Sequence, residues 1–131
     1  MELNKDCVRD VLLCCERLLK MNDNGFMNDL SPEDLQKELQ DYQLTDITYT
    51  VLKLEEADLL NAKVIKAWGN SVVDIIIYDI TFEGHEFLDN IRDDSNWKKV
   101  KDAAKAAGAF SINMLTQIAI GVMQSQIIKT I

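Results

Sequence analysis

Apolar residues recur at helical spacing, every three or four positions, through the first half of the chain. This pattern predicts a helix from about Asn4 to Met21, a short one from Ser31 to Gln40, and a third from Thr45 to Ala57. The second helix begins with Ser31 followed by Pro32, a pair typical of a helix start. The three helices are expected to pack their apolar faces into a common core.

The pattern changes after the third helix. β-Branched residues dominate two short segments, Ala62 to Trp68 and Val72 to Ile80, which we predict to be strands. Gly69-Asn70-Ser71 lies between them and suits a hairpin turn. Three helices followed by a two-stranded hairpin indicate an α+β fold of the winged-helix kind, in which the third helix is the recognition helix and the hairpin is the wing.

Helical spacing returns after the hairpin. Thr81 is expected to cap a fourth helix, a fifth extends from about Ser95 to Ala107, and the last extends from Ser111 to Lys129. This order predicts a winged-helix-like domain over residues 1–94, which includes the fourth helix. Residues 95–131 would form a helical extension that packs on this domain or on a second subunit.

The junction between the third helix and the first strand is similar to that of many winged-helix regulators. It comprises Val51 to Leu60, where the recognition helix ends and the chain turns into the wing. Those proteins usually carry glycine where this chain has Asp58. We therefore expect Asp58 to adopt a left-handed conformation, which aspartate tolerates better than most residues.

A longer resemblance begins at the fourth helix. The run TFEGHEFLDNIRDD, from Thr81 to Asp94, continues into Trp97-Lys98-Lys99. It resembles the signature of an uncharacterised bacterial and phage or prophage family, a domain of unknown function with a winged-helix-like core. The resemblance implies a fold and a phage or prophage context, and it implies no biochemical activity.

Several residues of this motif are expected to hold the fold together. They are Thr81, Gly84, His85, Asp89, Arg92, Asp93 and Trp97. Arg92 is expected to clamp a carboxylate or to stack on Trp97 as a structural lock. The motif as a whole is expected to dock the fourth and fifth helices onto the wing. The alternative is that Arg92 and Trp97 form a binding hot spot. His85 and Asp89 could touch across one helical turn, but too few further ligands are present, and we expect no metal site and no cofactor.

Charge and cysteine content narrow the classes of function. The chain has 22 acidic and 14 basic residues, a net charge of −8 that disfavours a general nucleic-acid binder.

The cysteines of the chain, Cys7, Cys14 and Cys15, fall in one predicted helix and are expected to be free thiols in the core. We see no signal peptide and no membrane-spanning segment, and therefore expect a cytoplasmic protein without a membrane role.

DNA binding is the alternative function that the fold suggests. The candidate contact residues on the recognition helix and wing are Tyr49, Thr50, Lys53, Lys63, Lys66, Trp68 and Asn70. The segment from Thr45 to Ile80, however, contains six acidic residues and three lysines. Its net charge of −3 would repel a duplex. The fold by itself does not decide between the two functions.

The last helix is poor in charge, since Lys129 is the only charged side chain between Ala106 and Ile131. Such a helix is expected to cap its own core or to pack on a second copy, and we favour a homodimer. The candidate interface residues are Ile112, Leu115, Ile118, Ala119, Val122, Ile127 and Ile128.

No catalytic constellation is visible in the sequence. The leading hypothesis is therefore a non-enzymatic winged-helix interaction module of phage or prophage type that acts through protein contacts as a dimer. Its acidic surface would suit a basic host or phage protein. The alternative is a sequence-specific DNA-binding regulator that uses the third helix and the wing.

Overall fold

The computed structural model describes residues 1–109 and 111–130, so positions 110 and 131 of the predicted helical extension lie outside the described residues. The described part contains six helices and two strands. In chain order they are α1 (Lys5–Leu18), α2 (Pro32–Glu38), α3 (Leu44–Glu56), β1 (Leu60–Lys66), β2 (Val72–Ile80), α4 (Phe82–Ile91), α5 (Asp94–Ala107) and α6 (Ile112–Thr130).

Side-chain caps explain where four of the helices begin. The oxygens of Asn4, Ser31, Thr81 and Asp93 each accept a hydrogen bond from a backbone N–H in the first turn of α1, α2, α4 and α5. The starts predicted at Ser31 and Thr81 are therefore confirmed. Gly108 ends α5 in the left-handed conformation with φ +66°, as a C-terminal glycine commonly does.

The first three helices share a core that includes all three cysteines. Cys7, Cys14 and Cys15 lie on the buried face of α1 and form no disulfide, so the prediction of free core thiols is confirmed. Burial raises the pKa of Cys15 to about 12. This thiol therefore stays protonated at neutral pH and serves as a packing group.

The two strands form an antiparallel hairpin that pairs Val64 with Ile75. β2 has the predicted bounds, whereas β1 begins two residues earlier than predicted and ends at Lys66. Reciprocal backbone hydrogen bonds of 2.9 and 2.8 Å join Leu30, in the loop before α2, to Ile77 of β2. Three helices and this hairpin confirm the winged-helix-like α+β fold.

The junction between α3 and β1 has the predicted conformation. Asp58 has a φ of +60°, which confirms the expected left-handed backbone. The hydroxyl of Thr81 donates a 2.6 Å hydrogen bond to the Asp58 carbonyl. The cap of α4 thereby also fixes the turn that leads into the wing.

The last three helices extend the same core. Buried side chains on α4, α5 and α6 belong to one hydrophobic cluster with those of α1, α3 and the hairpin. In these helices they include Phe87, Leu88, Ile91, Val100, Ala104, Leu115 and Ala119. The segment after residue 94 therefore contributes to the core of the segment before it.

Candidate functional site

The outer face of α3 differs from the prediction at Thr50. This side chain is only 1% exposed, and its hydroxyl donates a 2.8 Å hydrogen bond to the Asp46 carbonyl one turn earlier. Position 50 lies three residues after Ile47 and four before Leu54, so helical geometry places it beside two core residues. The prediction that Thr50 faces outward is wrong.

The other two α3 candidates are partly exposed, and both are engaged within the chain. The Tyr49 hydroxyl donates a 3.2 Å hydrogen bond to the Met1 carbonyl. The ammonium group of Lys53 lies 3.0 Å from a Glu56 carboxylate oxygen and 5.4 Å from the centre of the Tyr49 ring. The positive charge of Lys53 is therefore already paired with a carboxylate of the same helix.

An open groove of about 720 Å³ borders this face of α3. One wall is Tyr49, Lys53 and Glu56 of α3, and the rest comes from the first residues of the chain and the start of α6. A recognition helix must protrude to enter a DNA major groove about 12 Å wide. Here the flanking segments place the exposed part of α3 inside a concave surface.

The wing carries its predicted candidates on the surface, since Lys63, Lys66, Trp68 and Asn70 are all exposed. Trp68 is 99% exposed at the tip, where the N–H of Ala67 donates a 2.9 Å hydrogen bond to the Ser71 carbonyl and closes the turn.

Sequence reasoning missed two further apolar side chains near this turn. Ile65 and Val73 are both exposed, although the strand pattern gives no signal that they face solvent. A β-bulge shifts the register between Ile65 and Lys66, and such a bulge can re-aim side chains. We call residues 65–73 the wing tip, a surface of exposed apolar side chains with one cation, Lys66.

Close packing explains why the motif has a glycine at position 84. A Cβ at this position would overlap the Leu59 carbonyl oxygen and lie 2.7 Å from Cγ2 of Ile80. Only glycine allows α4 to pack this closely against the junction of α3 and the wing. The assignment of Gly84 to the structure of the motif agrees with this contact.

Arg92 clamps a carboxylate, and that carboxylate belongs to α1. Its guanidinium donates two 2.7 Å hydrogen bonds to the two oxygens of Glu16 and one of 3.1 Å to Asp89. This hydrogen bonding lowers the pKa of Glu16. Arg92 thus fastens the motif to a residue 76 positions earlier on the first helix, whereas the contacts of the motif with the base of the wing are made by Thr81 and Gly84.

Trp97 is buried, and its indole nitrogen donates a 2.9 Å hydrogen bond to Asp6. Lys101 donates to the same carboxylate oxygen at 2.9 Å and lies 5.7 Å from the centre of the Trp97 ring. Partial burial by itself would raise the pKa of Asp6, but the hydrogen bonds from Lys101 and Trp97 outweigh it and lower the pKa. A buried tryptophan cannot serve as a surface hot spot, and Trp97 does not stack on Arg92.

A third contact joins α1 to the start of α5. The Arg9 guanidinium donates to the Ile91 and Arg92 carbonyls at 2.9 and 2.6 Å and to the Asp94 carboxylate at 2.7 Å. We call the contacts of Asp6, Arg9 and Glu16 with the segment from Asp89 to Lys101 the α1 clamp. Sequence patterns gave no signal for the α1 residues, since they lie far from the motif along the chain.

His85 is exposed on α4, and no hydrogen bond joins it to Asp89, whose carboxylate accepts from Arg92 instead. Among residues 1–109 and 111–130, no group of three or more histidine, cysteine, aspartate or glutamate side chains is arranged to hold a metal ion. In the described structure, the motif residues with identified contacts serve packing, helix capping, and ion pairs or hydrogen bonds to α1.

The predicted interface residues on α6 divide into two groups. Ile112, Leu115 and Ala119 are buried in the chain's own core, so these three are not available to a second copy, contrary to the prediction. Ile118 and Val122 are half-buried against the same core, whereas Ile127 and Ile128 are exposed. Within the described residues, no helix has the length and apolar character needed to cross a membrane.

The fold and its contacts define a winged-helix-like α+β protein whose motif segment is fastened to its first helix. A family model described as hypothetical protein (DUF2513) matches residues 2–110, and the chain belongs to this family of unknown function. No curated protein and no solved structure shows significant similarity to the chain.

Proposed function

We propose that this chain is a non-enzymatic winged-helix module that binds another protein through its wing tip. The observation that carries the proposal is Trp68, which is 99% exposed in an ordered turn. Tryptophan is enriched among residues that dominate binding energy. Ile65 and Val73 are further exposed apolar residues on the two strands that lead to this turn, and exposed apolar groups of this kind can mark a protein contact.

The properties of α3 favour protein contact over DNA reading. Thr50 is buried, Lys53 is paired with Glu56, and the exposed part of the helix lines a groove. The neighbouring Asp46 and Glu55 add negative charge that would meet phosphate. A DNA-binding role would therefore depend on the lysines of the wing.

The setting of this function is also part of the proposal. The resemblance of the motif from Thr81 to Lys99 to phage and prophage proteins supports a host or phage protein as the partner. The free thiols suit the reducing cytoplasm. The net charge of −8 favours a partner with a basic surface beside the pocket that receives Trp68.

Affinity capture with the Trp68→Ala variant tests the wing tip. The wild-type chain should retain a protein that the variant loses, and the purified partner should bind the wild type at least tenfold more tightly. Phe26→Ala is the matched control, because Phe26 is also a highly exposed aromatic residue but lies in the loop before α2. Equal binding by Trp68→Ala and the wild type would contradict the proposal.

Fluorescence anisotropy with labelled duplex DNA tests the alternative. We expect no binding beyond the weak, non-specific range at physiological salt. Tight binding with a steep salt dependence that Lys63→Glu and Lys66→Glu abolish would favour the DNA-binding regulator instead.

A further inference from the structure

The outer face of α6 carries large exposed apolar side chains although the inner face of this helix already covers the core. Met114, Ile120 and Ile128 on the outer side are 47%, 42% and 72% exposed. Apolar residues are thus distributed around the helix rather than along a single stripe. The exposed side of α6 combines these large apolar side chains with uncharged polar ones such as Gln117 and Gln124, a composition that indicates a partner rather than a face kept in water.

The exposed residues of α6 follow the spacing of paired helices. Met114, Gly121 and Ile128 are seven residues apart, with the exposed Gln117 and Gln124 between them. A seven-residue repeat is the spacing by which two helices pack side by side. At Gly121 a Cβ would meet no atom within 4 Å, so a second backbone can approach closely at the middle of the stripe.

The distribution of charge favours a second copy of this chain as the protein that covers the outer face of α6. With a net charge of −8, two copies repel one another over most of their surface. The segment from Ala106 to Ile131 has Lys129 as its only charged side chain. The outer face of α6 therefore lets two copies meet without opposing like charges, and it lacks the row of cations that an anionic membrane surface would attract.

We propose that the outer face of α6 pairs antiparallel with the same face of a second copy about a twofold axis at Gly121. Twofold contacts are self-complementary, and opposed helix dipoles favour the antiparallel orientation. Met114 and Ile128 are equally distant from Gly121, so Met114 of each copy packs against Ile128 of the other. Gln117 likewise meets Ser125.

The length of the row from Met114 to Ile128 limits the area that the dimer can bury. Met114 and Ile128 are separated by about 21 Å along the helix. One helix pair of this length buries less than the roughly 800 Å² per partner of a standard stable interface. We therefore expect a weak, reversible pairing in which monomer and dimer exchange. This inference does not rest on the wing tip, so either proposal can fail without the other.

Point substitutions test the dimer, because deleting α6 would remove Leu115 and Ala119 from the core. Sedimentation velocity on the full chain should show monomer converting to dimer as concentration rises through the micromolar range. Met114→Lys alone and Ile128→Glu alone should each weaken the dimer at least tenfold while leaving the circular dichroism spectrum unchanged. Met21→Glu, an exposed position outside α6, is the control and should leave dimerisation unchanged.

The double variant Met114→Lys/Ile128→Glu should recover the dimer, since each introduced cation then meets the introduced carboxylate of the other copy. A parallel pair would bring like charges together and would not recover. Gly121→Cys should form a disulfide-linked dimer on mild oxidation, whereas Met114→Cys should not. A monomer at all concentrations, a dimer indifferent to both single substitutions, or association only with lipid vesicles would overturn the proposal.

Discussion

Two residues at the base of the wing show how single positions set its geometry. Asp58 takes the left-handed conformation that ends α3, and its carbonyl accepts the hydroxyl of Thr81. Gly84 then lets the first turn of α4 lie against the Leu59 carbonyl. At Asp58 the backbone conformation is decisive, and at Gly84 the absence of a Cβ is decisive.

Gly84→Ala should destabilise the chain by about 3 kcal/mol, because the added methyl group must displace backbone at Leu59. Urea unfolding followed by circular dichroism would measure the change. Gly121→Ala, measured at a protein concentration well below that at which the proposed dimer forms, is the matched control, since its Cβ then meets open space and alanine favours the helix by about 1 kcal/mol. Equal effects of the two substitutions would contradict the contact described for Gly84.

At the scale of elements, the α1 clamp fastens the helices after the wing to the beginning of the chain. The Arg92–Glu16 pair is bidentate, a geometry that adds specificity and strength to an ion pair. Both side chains remain partly exposed, so solvent screens their interaction. The clamp therefore orients α4 and α5 more than it stabilises the fold as a whole.

A double-mutant cycle with Arg92→Gln and Glu16→Gln should give a coupling energy of about 1 kcal/mol, near the upper end for exposed pairs. The same cycle at Lys98 and Asp102, a single contact of 3.1 Å within α5, should give about 0.3 kcal/mol. Chemical denaturation of each variant supplies the values. A coupling at Arg92–Glu16 no larger than that at Lys98–Asp102 would show that the bidentate geometry adds nothing.

Element order could be predicted from the sequence, whereas contacts between distant elements could not. Helical spacing and caps located the helices, and β-branched runs located the hairpin. Arg92 could be recognised as a clamp, but nothing in the local pattern identified Glu16, because tertiary packing alone brings α1 beside α4. The prediction for Thr50 was wrong because the residue lies beside the core face of α3, where its hydroxyl is satisfied within its own helix.

At the scale of the whole molecule, three carboxylates make the free energy of unfolding depend on pH. Hydrogen bonds from Arg92 lower the pKa of Glu16, and hydrogen bonds from the Ser31 backbone and side chain lower that of Asp34. The pKa of Asp6 is lowered as described above. A carboxyl group with a lowered pKa in the folded state contributes stability above its unfolded pKa, and this contribution is lost as pH falls through the folded value.

The urea midpoint should therefore be constant near neutral pH and should fall progressively below about pH 4.5. Glu16→Gln combined with Asp6→Asn should flatten this fall, because the variant has fewer carboxylates to protonate. Glu33→Gln, a substitution at an exposed residue of α2, is a suitable comparison. A double variant with the same acid profile as the wild type would contradict these contacts.

The boundary of the family match has a consequence for how relatives can diverge. The match ends at residue 110, yet Ile112, Leu115 and Ala119 of the following helix complete the core beside α4 and α5. A relative whose sequence departs after this boundary must still provide apolar residues at the same three- and four-residue steps. The outer positions of that helix do not contribute to this core, so the self-association proposed above could differ between relatives that share the fold.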